Sequence, residues 1–170
     1  MKLDIGKVMS GVIGRIDIDE KLNINGEDVG VDIEIAEPVS VKGKIENISG
    51  YVHLEASICC SYKSSCARCL APVNSVLTTE IDKAVCNAGV LEDEEAEDVV
   101  TNYLIIEKNE LDLDEICIEE IMFALPFRVL CKEDCKGLCS KCGKNLNEGD
   151  CGCDFHEIDP RLAPLAELLK

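Results

Sequence analysis

The polar and apolar positions of this chain alternate with a period of two over most of its first half, the pattern of strands with one buried and one wet face. Residues 1–30 mix short apolar runs with turn signals at Gly11, Gly14 and Asn25-Gly26, and Ile16-Asp-Ile18-Asp alternates; the stretch reads as strand-like, with Asn25-Gly26 as a tight turn. Val31, Ile33 and Ile35 then face one way and Asp32 and Glu34 the other, until Pro38 breaks the run. Val39, Val41 and Ile45 continue on a second strand backed by Ser40, Lys42, Lys44 and Glu46, and the Asn47–Gly50 segment turns the chain. A third strand places Val52, Leu54, Ala56, Ile58 and Cys60 on the core side, and a fourth does the same with Val73, Leu77, Ile81 and Val85. Val99 to Ile106 is apolar enough for a further strand returning to the sheet.

The period changes at Asp112. Leu113, Ile116, Ile121 and Leu125 share one helical face, Asp112 with Glu115 resembles a capping box, and Pro126 ends the run, so a helix over Asp112 to Leu125 is expected across the sheet. Asp159-Pro160 is a helix-start signal for a short terminal helix using Leu165, Leu168 and Leu169. The expected fold class is α+β: a mainly antiparallel sheet or partly closed barrel with one packing helix, followed by a cysteine-rich, zinc-bound C-terminal segment. The expected division is a strand-rich domain over 1–126 and a metal-binding tail with a short helix over 127–170.

Charge narrows the partners. The 170 residues carry 34 acidic and 17 basic side chains, a formal net charge of −17. Phosphate binding draws on Lys and Arg that displace counterions, and this chain offers them only locally, as at Lys132, Lys136, Lys141 and Lys144. Aromatic residues are 4% and tryptophan is absent, which leaves little for stacking single-stranded RNA. A basic protein partner fits this acidic protein better than bare RNA. The block Glu92–Asp98 repels itself and reads as a solvated loop or as an arm for such a partner. No apolar run approaches bilayer length, and the start lacks a signal-peptide core, so a cytoplasmic protein is expected.

Six of the twelve cysteines crowd into residues 131–153, spaced by Lys, Asp, Glu, Asn and Gly, which bury too little apolar surface to order the segment. Cys139-Ser-Lys-Cys142-Gly143 is a two-residue-spaced ligand pair with a glycine that tolerates the positive φ of such a turn, and Cys151-Gly-Cys153 supplies a second pair. Together they make a four-thiolate site. Cys131 and Cys135 lack partners nearby, but Cys66-Ala-Arg-Cys69 is a remote pair at the turn between the third and fourth strands. A second site from Cys66, Cys69, Cys131 and Cys135 would clip body to tail. The spacing by four of Cys131, Cys135 and Cys139 leaves the partition open, and His156 is an alternative ligand.

Disulfides would need an oxidising compartment, and iron–sulfur spacings usually differ, so two zinc ions are the expected occupants. A shell of four thiolates leaves no position for water, so the zinc reads as structural and the chain as no enzyme. Cys60, Cys86 and Cys117 read as small buried residues, Cys59 stays open, and His53 reads as a surface histidine.

The combination of Cys66-Ala-Arg-Cys69-Leu-Ala-Pro72, the helix ending Phe123-Ala-Leu125-Pro126, the run from Cys135-Lys-Gly-Leu-Cys139 through Asn147, and Asp159-Pro160-Arg161 resembles the YceD family, the large ribosomal RNA subunit accumulation proteins. The resemblance implies a bacterial, non-enzymatic factor for large-subunit rRNA accumulation or processing during ribosome assembly. Its partners would be a large-subunit precursor, a basic ribosomal protein or an assembly factor, with direct rRNA contact left open. By motif it also implies roles for Cys66, Arg68 and Cys69, with Arg68 presenting a fork to phosphate or carboxylate, or else pairing with the acidic surface. The alternative class is a metal-handling or thiol-redox protein with labile sites.

Overall fold

A computed structural model describes residues 1–29, 33–88 and 103–153. Its main sheet is built on three long strands, β4 (Val39–Ile48), β5 (Tyr51–Ser65) and β6 (Pro72–Asn87), each antiparallel to the next. Strict alternation is the cause: along β5, Val52, Leu54, Ala56, Ile58, Cys60 and Tyr62 are buried while their odd-numbered neighbours face outward. β4 contributes Val39, Val41 and Ile45 to the same face, and β6 contributes Ile81 and Val85.

β4 and β5 are joined by Ser49 and Gly50, both at positive φ (56° and 97°), and the Asn47 side chain accepts the Gly50 N–H at 2.8 Å. Such a two-residue turn matches the natural twist of a hairpin. Partway along, Gly43 faces Ala56, and a Cβ on Gly43 would lie 2.2 Å from the Glu55 carbonyl oxygen and 2.5 Å from Ala56. The strands meet here at a distance only glycine allows.

The flanks depart from the expected strands. β1 (Lys2–Asp4) pairs away from the main sheet with β8 (Glu110–Asp112), and β2 (Arg15–Leu22) forms the edge beside β4. Between them α1 (Gly6–Met9) is a single turn, and Asn25-Gly26 opens another, α2 (Gly26–Val29), in place of a hairpin turn. The Asp28 carboxylate accepts the Asn25 N–H at 2.9 Å and starts that turn as a helix. β3 is only Glu34–Ile35 and pairs with the far end of β5, beyond the start of β4.

β7 (Tyr103–Ile106) returns to the sheet as expected but runs parallel to β6, so the sheet is mixed: mainly antiparallel, curled, with one parallel edge. The Glu92–Asp98 block, the terminal-helix residues and His156 lie outside the described residues.

Helix α3 (Leu113–Ala124) begins at Asp112, whose carboxylate accepts the Asp114 N–H at 3.2 Å, and stops before Pro126. Leu113, Ile116, Cys117 and Ile121 are buried in one continuous core with β4, β5 and β6. A Lys83–Glu120 ion pair, largely shielded from solvent, ties the helix to β6. No helix among the described residues is long and apolar enough to cross a membrane.

Candidate metal centres

The tip of the β5–β6 hairpin is six residues, Cys66 to Ala71, between the paired Ser65 and Pro72. Cys66 N–H donates to the Ala71 carbonyl at 2.8 Å and Leu70 N–H to the Cys66 carbonyl at 2.9 Å, folding Cys66-Ala-Arg-Cys69 into a knuckle with both sulfurs on one side. Leu70 takes the left-handed turn position, φ 59°, a strained place for a residue with a side chain.

Cys139-Ser-Lys-Cys142 is folded the same way. Gly143 N–H donates to the Cys139 carbonyl at 2.8 Å, with Gly143 at φ 73°, so the glycine expected to permit this turn does occupy it.

The sulfurs gather in two sets of four: Cys66, Cys69, Cys131 and Cys135, and Cys139, Cys142, Cys151 and Cys153, each within 4.8 Å of one another. This is the partition favoured from spacing. A tetrahedral ion with metal–sulfur bonds of about 2.3 Å requires sulfurs about 3.8 Å apart. Cys66 and Cys135 Sγ are 3.8 Å apart and Cys69 and Cys131 Sγ 3.6 Å, so this set could accept such an ion with little movement.

Local electrostatics prepare both sets unevenly. Burial opposes ionising Cys66, yet N–H groups of Arg68, Cys131 and Cys69 aimed at its sulfur outweigh it and draw the thiol down to about 6. The Cys142 N–H, against burial and with help from the Lys141 N–H, brings Cys139 down to about 6. The Asn147 side-chain amide leads in lowering Cys135. Contact with Cys135, then burial, pushes Cys131 up to about 12, and contact with Cys142 and Cys151 does the same to Cys153. Each set thus holds an acidified thiol beside one that stays protonated until a cation displaces its proton.

The first set joins parts of the chain over sixty residues apart, and the backbone closes around it. Ala67 N–H donates to the Val129 carbonyl at 2.8 Å and Leu138 N–H to the Arg68 carbonyl at 3.0 Å. Arg68 Nη1 donates to the Cys135 carbonyl at 2.9 Å and the Glu133 carbonyl at 3.3 Å. Of the two readings of Arg68 from sequence, pairing with an acidic side chain is not found among the described residues; its Nη1 holds the tail's carbonyls while the residue stays exposed, which leaves the fork toward phosphate or carboxylate open. Gly137 sits against it at φ 77°, where a Cβ would come within 3.0 Å of the Arg68 carbonyl oxygen.

Asn147 was not singled out by sequence reasoning. Its Nδ2 lies 3.4 Å from Cys135 Sγ, and its Oδ1 accepts the Lys136 N–H at 3.0 Å, so a residue between the ligands of one set touches the other. One asparagine in a polar run offers no signal of this. Of the other cysteines, Cys60 and Cys117 are buried, Cys86 is half-buried and Cys59 is exposed. His53 is half-exposed, 2.9 Å from Asp82.

Fold and clusters define a class: a curled, mainly antiparallel sheet whose central hairpin ends in a four-cysteine knuckle shared with a cysteine-rich tail. The family profile described as "Large ribosomal RNA subunit accumulation protein YceD" matches residues 54–169, and the chain belongs to that family. An uncharacterized protein of Mycobacterium tuberculosis is 30% identical over 126 residues, 74% of this chain and 59% of its own. The chain thus spans about three fifths of the length of the mycobacterial relatives it matches. The uncharacterized protein YlbN of Bacillus subtilis is 28% identical, covering 91% of this chain and 88% of its own. A protein of Arabidopsis thaliana named "Large ribosomal RNA subunit accumulation protein YCED homolog 1, chloroplastic" is 34% identical over 62 residues, 36% of this chain and 19% of its own. No solved structure matches.

Proposed function

We infer that this chain is a non-enzymatic factor in the accumulation or processing of large-subunit ribosomal RNA, acting in the cytoplasm during ribosome assembly. The observation that carries the reading is the family match over residues 54–169, which takes in the knuckle, helix α3 and both cysteine sets. The eight cysteines Cys66, Cys69, Cys131, Cys135, Cys139, Cys142, Cys151 and Cys153 are proposed to hold two zinc ions. Zinc would supply cross-linking in place of a core, since four thiolates close its shell. The division at residues 126 and 127 is kept as part of the proposal, with the first site joining the body to the tail.

Chemistry favours a protein partner over a bare RNA grip. Of the tail lysines, Lys132 lies 3.8 Å from the Asp134 carboxylate and Lys144 is held by the Asp150 carbonyl at 3.0 Å, and four thiolates around one divalent ion add about two negative charges at each site. The proposed partners are therefore a large-subunit precursor, engaged through a basic ribosomal protein or an assembly factor, with rRNA contact secondary. The test is a mild pull-down of the tagged protein from growing cells, with and without ribonuclease. Large-subunit rRNA or its proteins are expected, the proteins persisting after ribonuclease; recovery of neither overturns the assembly role.

A metal-handling or thiol-redox role has one observation in its favour: Cys142 is exposed and Cys151 and Cys153 are half-exposed, so the second set is open to solvent. Under that reading a chelator removes metal while the tail keeps its fold.

A further inference from the structure

We propose that the two cysteine sets load metal cooperatively, and that Asn147 is the positioning residue carrying the coupling between them. The inference rests on the metal reading above and adds to it a relation between the sites.

Asn147 belongs to the second site by chain and to the first by contact. It lies between Cys142 and Cys151, in the loop whose ends the second set gathers. Yet its Nδ2 reaches Cys135 Sγ at 3.4 Å and its Oδ1 accepts the Lys136 N–H at 3.0 Å. The side chain is held for this task. Asn145 Oδ1 accepts both the Asn147 backbone N–H, at 3.0 Å, and one Nδ2 hydrogen, at 2.8 Å, leaving the other for the sulfur.

A short ladder registers the loop on the segment between the sites. Cys139 N–H donates to the Lys144 carbonyl at 2.8 Å, and Leu146 N–H to the Gly137 carbonyl at 2.9 Å. An ion at the second site closes the loop and fixes this ladder, which holds the amide where a thiolate at Cys135 needs a donor. An ion at the first site fixes Cys135 and Lys136, the two groups to which Asn147 is bound, and so helps order the loop. Each ion then lowers the ordering cost for the other, and linkage makes the benefit equal in both directions. Hydrogen bonds to ligand atoms of this kind change metal affinity by about ten- to a hundredfold.

Native mass spectrometry of the reduced, metal-free full chain during Zn²⁺ addition reads the coupling directly. Independent sites leave about half or more of the molecules singly loaded at half-saturation, and positive coupling leaves fewer. The wild type is expected to pass from no ions to two with the one-ion form a minority. Asn147→Ala removes both contacts; Asn147→Asp keeps the acceptor for Lys136 N–H but sets a carboxylate against the sulfur. In both, the one-ion form is expected to become the majority, with far-ultraviolet dichroism from the main sheet unchanged. Cys142→Ser with Cys151→Ser isolates the first site, whose Co²⁺ affinity by chelator competition should fall roughly ten- to a hundredfold below the wild-type value. A first-site Co²⁺ affinity unchanged by Cys142→Ser with Cys151→Ser, or an Asn147→Ala distribution matching the wild type, overturns the coupling while leaving the metal sites in place. Failure of the wild type to take up either ion overturns the metal reading itself.

Discussion

Gly137→Ala should loosen the tail from the hairpin more than Gly143→Ala, although the two glycines have nearly the same φ, 77° and 73°. A residue with a side chain in the left-handed region is strained by about 1–2 kcal/mol, and both substitutions incur that. At Gly143 nothing lies within 4 Å of the added Cβ. At Gly137 it meets the Arg68 carbonyl oxygen at 3.0 Å and Arg68 Cβ at 3.4 Å. That carbonyl accepts the Leu138 N–H at 3.0 Å, so moving it apart weakens a hydrogen bond worth about 1 kcal/mol. Gly143→Ala should therefore destabilise the tail by about 1–2 kcal/mol and Gly137→Ala by about 2–3 kcal/mol. The assay is limited proteolysis of the metal-loaded protein, with cleavage after the tail lysines followed by mass. When closing outpaces cleavage the rate tracks the open population, and the added 1 kcal/mol appears as roughly a fivefold faster cut in Gly137→Ala. Equal rates in the two variants would refute the close seating of Gly137 on Arg68.

Three further outcomes follow from the geometry. Gly43→Ala should lower stability by about 1–3 kcal/mol, read as a fall in the urea midpoint, because the new methyl group collides with the β5 backbone. Leu70→Gly should raise stability by up to about 1 kcal/mol in the same assay, the relief at φ 59° being partly offset by glycine's greater freedom when unfolded. Burial first, then the charges of Asp114 and Glu120, push the Cys117 thiol up to about 12, above the usual 9.0. A raised folded value gives stability that is complete below about pH 9 and is lost as the pH climbs toward about 12; urea melts across that range should show the loss, and Cys117→Ala should flatten it.

The central hairpin was legible because β5 and β6 obey one period over fifteen and sixteen residues, so the parity of Val52 to Cys60 and of Ile81 and Val85 is overdetermined. The two Cys-x-x-Cys pairs were legible for a different reason. A Cys-x-x-Cys knuckle carries its own geometry, whereas the even spacing of Cys131, Cys135 and Cys139 left the partition between two sites open. What the sequence hid is non-local or very short. β7 is apolar in either direction, and alternation does not say whether a returning strand runs parallel. The four residues of α2 are too few for a helical period, and Asn25-Gly26 carries the chemistry of a hairpin turn until Asp28 is seen to cap it. Arg68 and Asn147 act through backbone carbonyls and a sulfur supplied by distant segments, contacts that no spacing rule encodes.

Metal at the two cysteine sets is proposed to fasten the tail to the hairpin tip. Hydrogen exchange read by mass spectrometry tests it, comparing the zinc-loaded protein with the reduced, metal-free protein. The amides of Ala67, Leu138, Cys139 and Leu146, each bonded across the knuckles, should be protected with zinc and exchange freely without it, while β4, β5 and β6 stay protected in both. Equal protection of those four amides in the metal-free, fully reduced protein would show that metal does not fasten the tail.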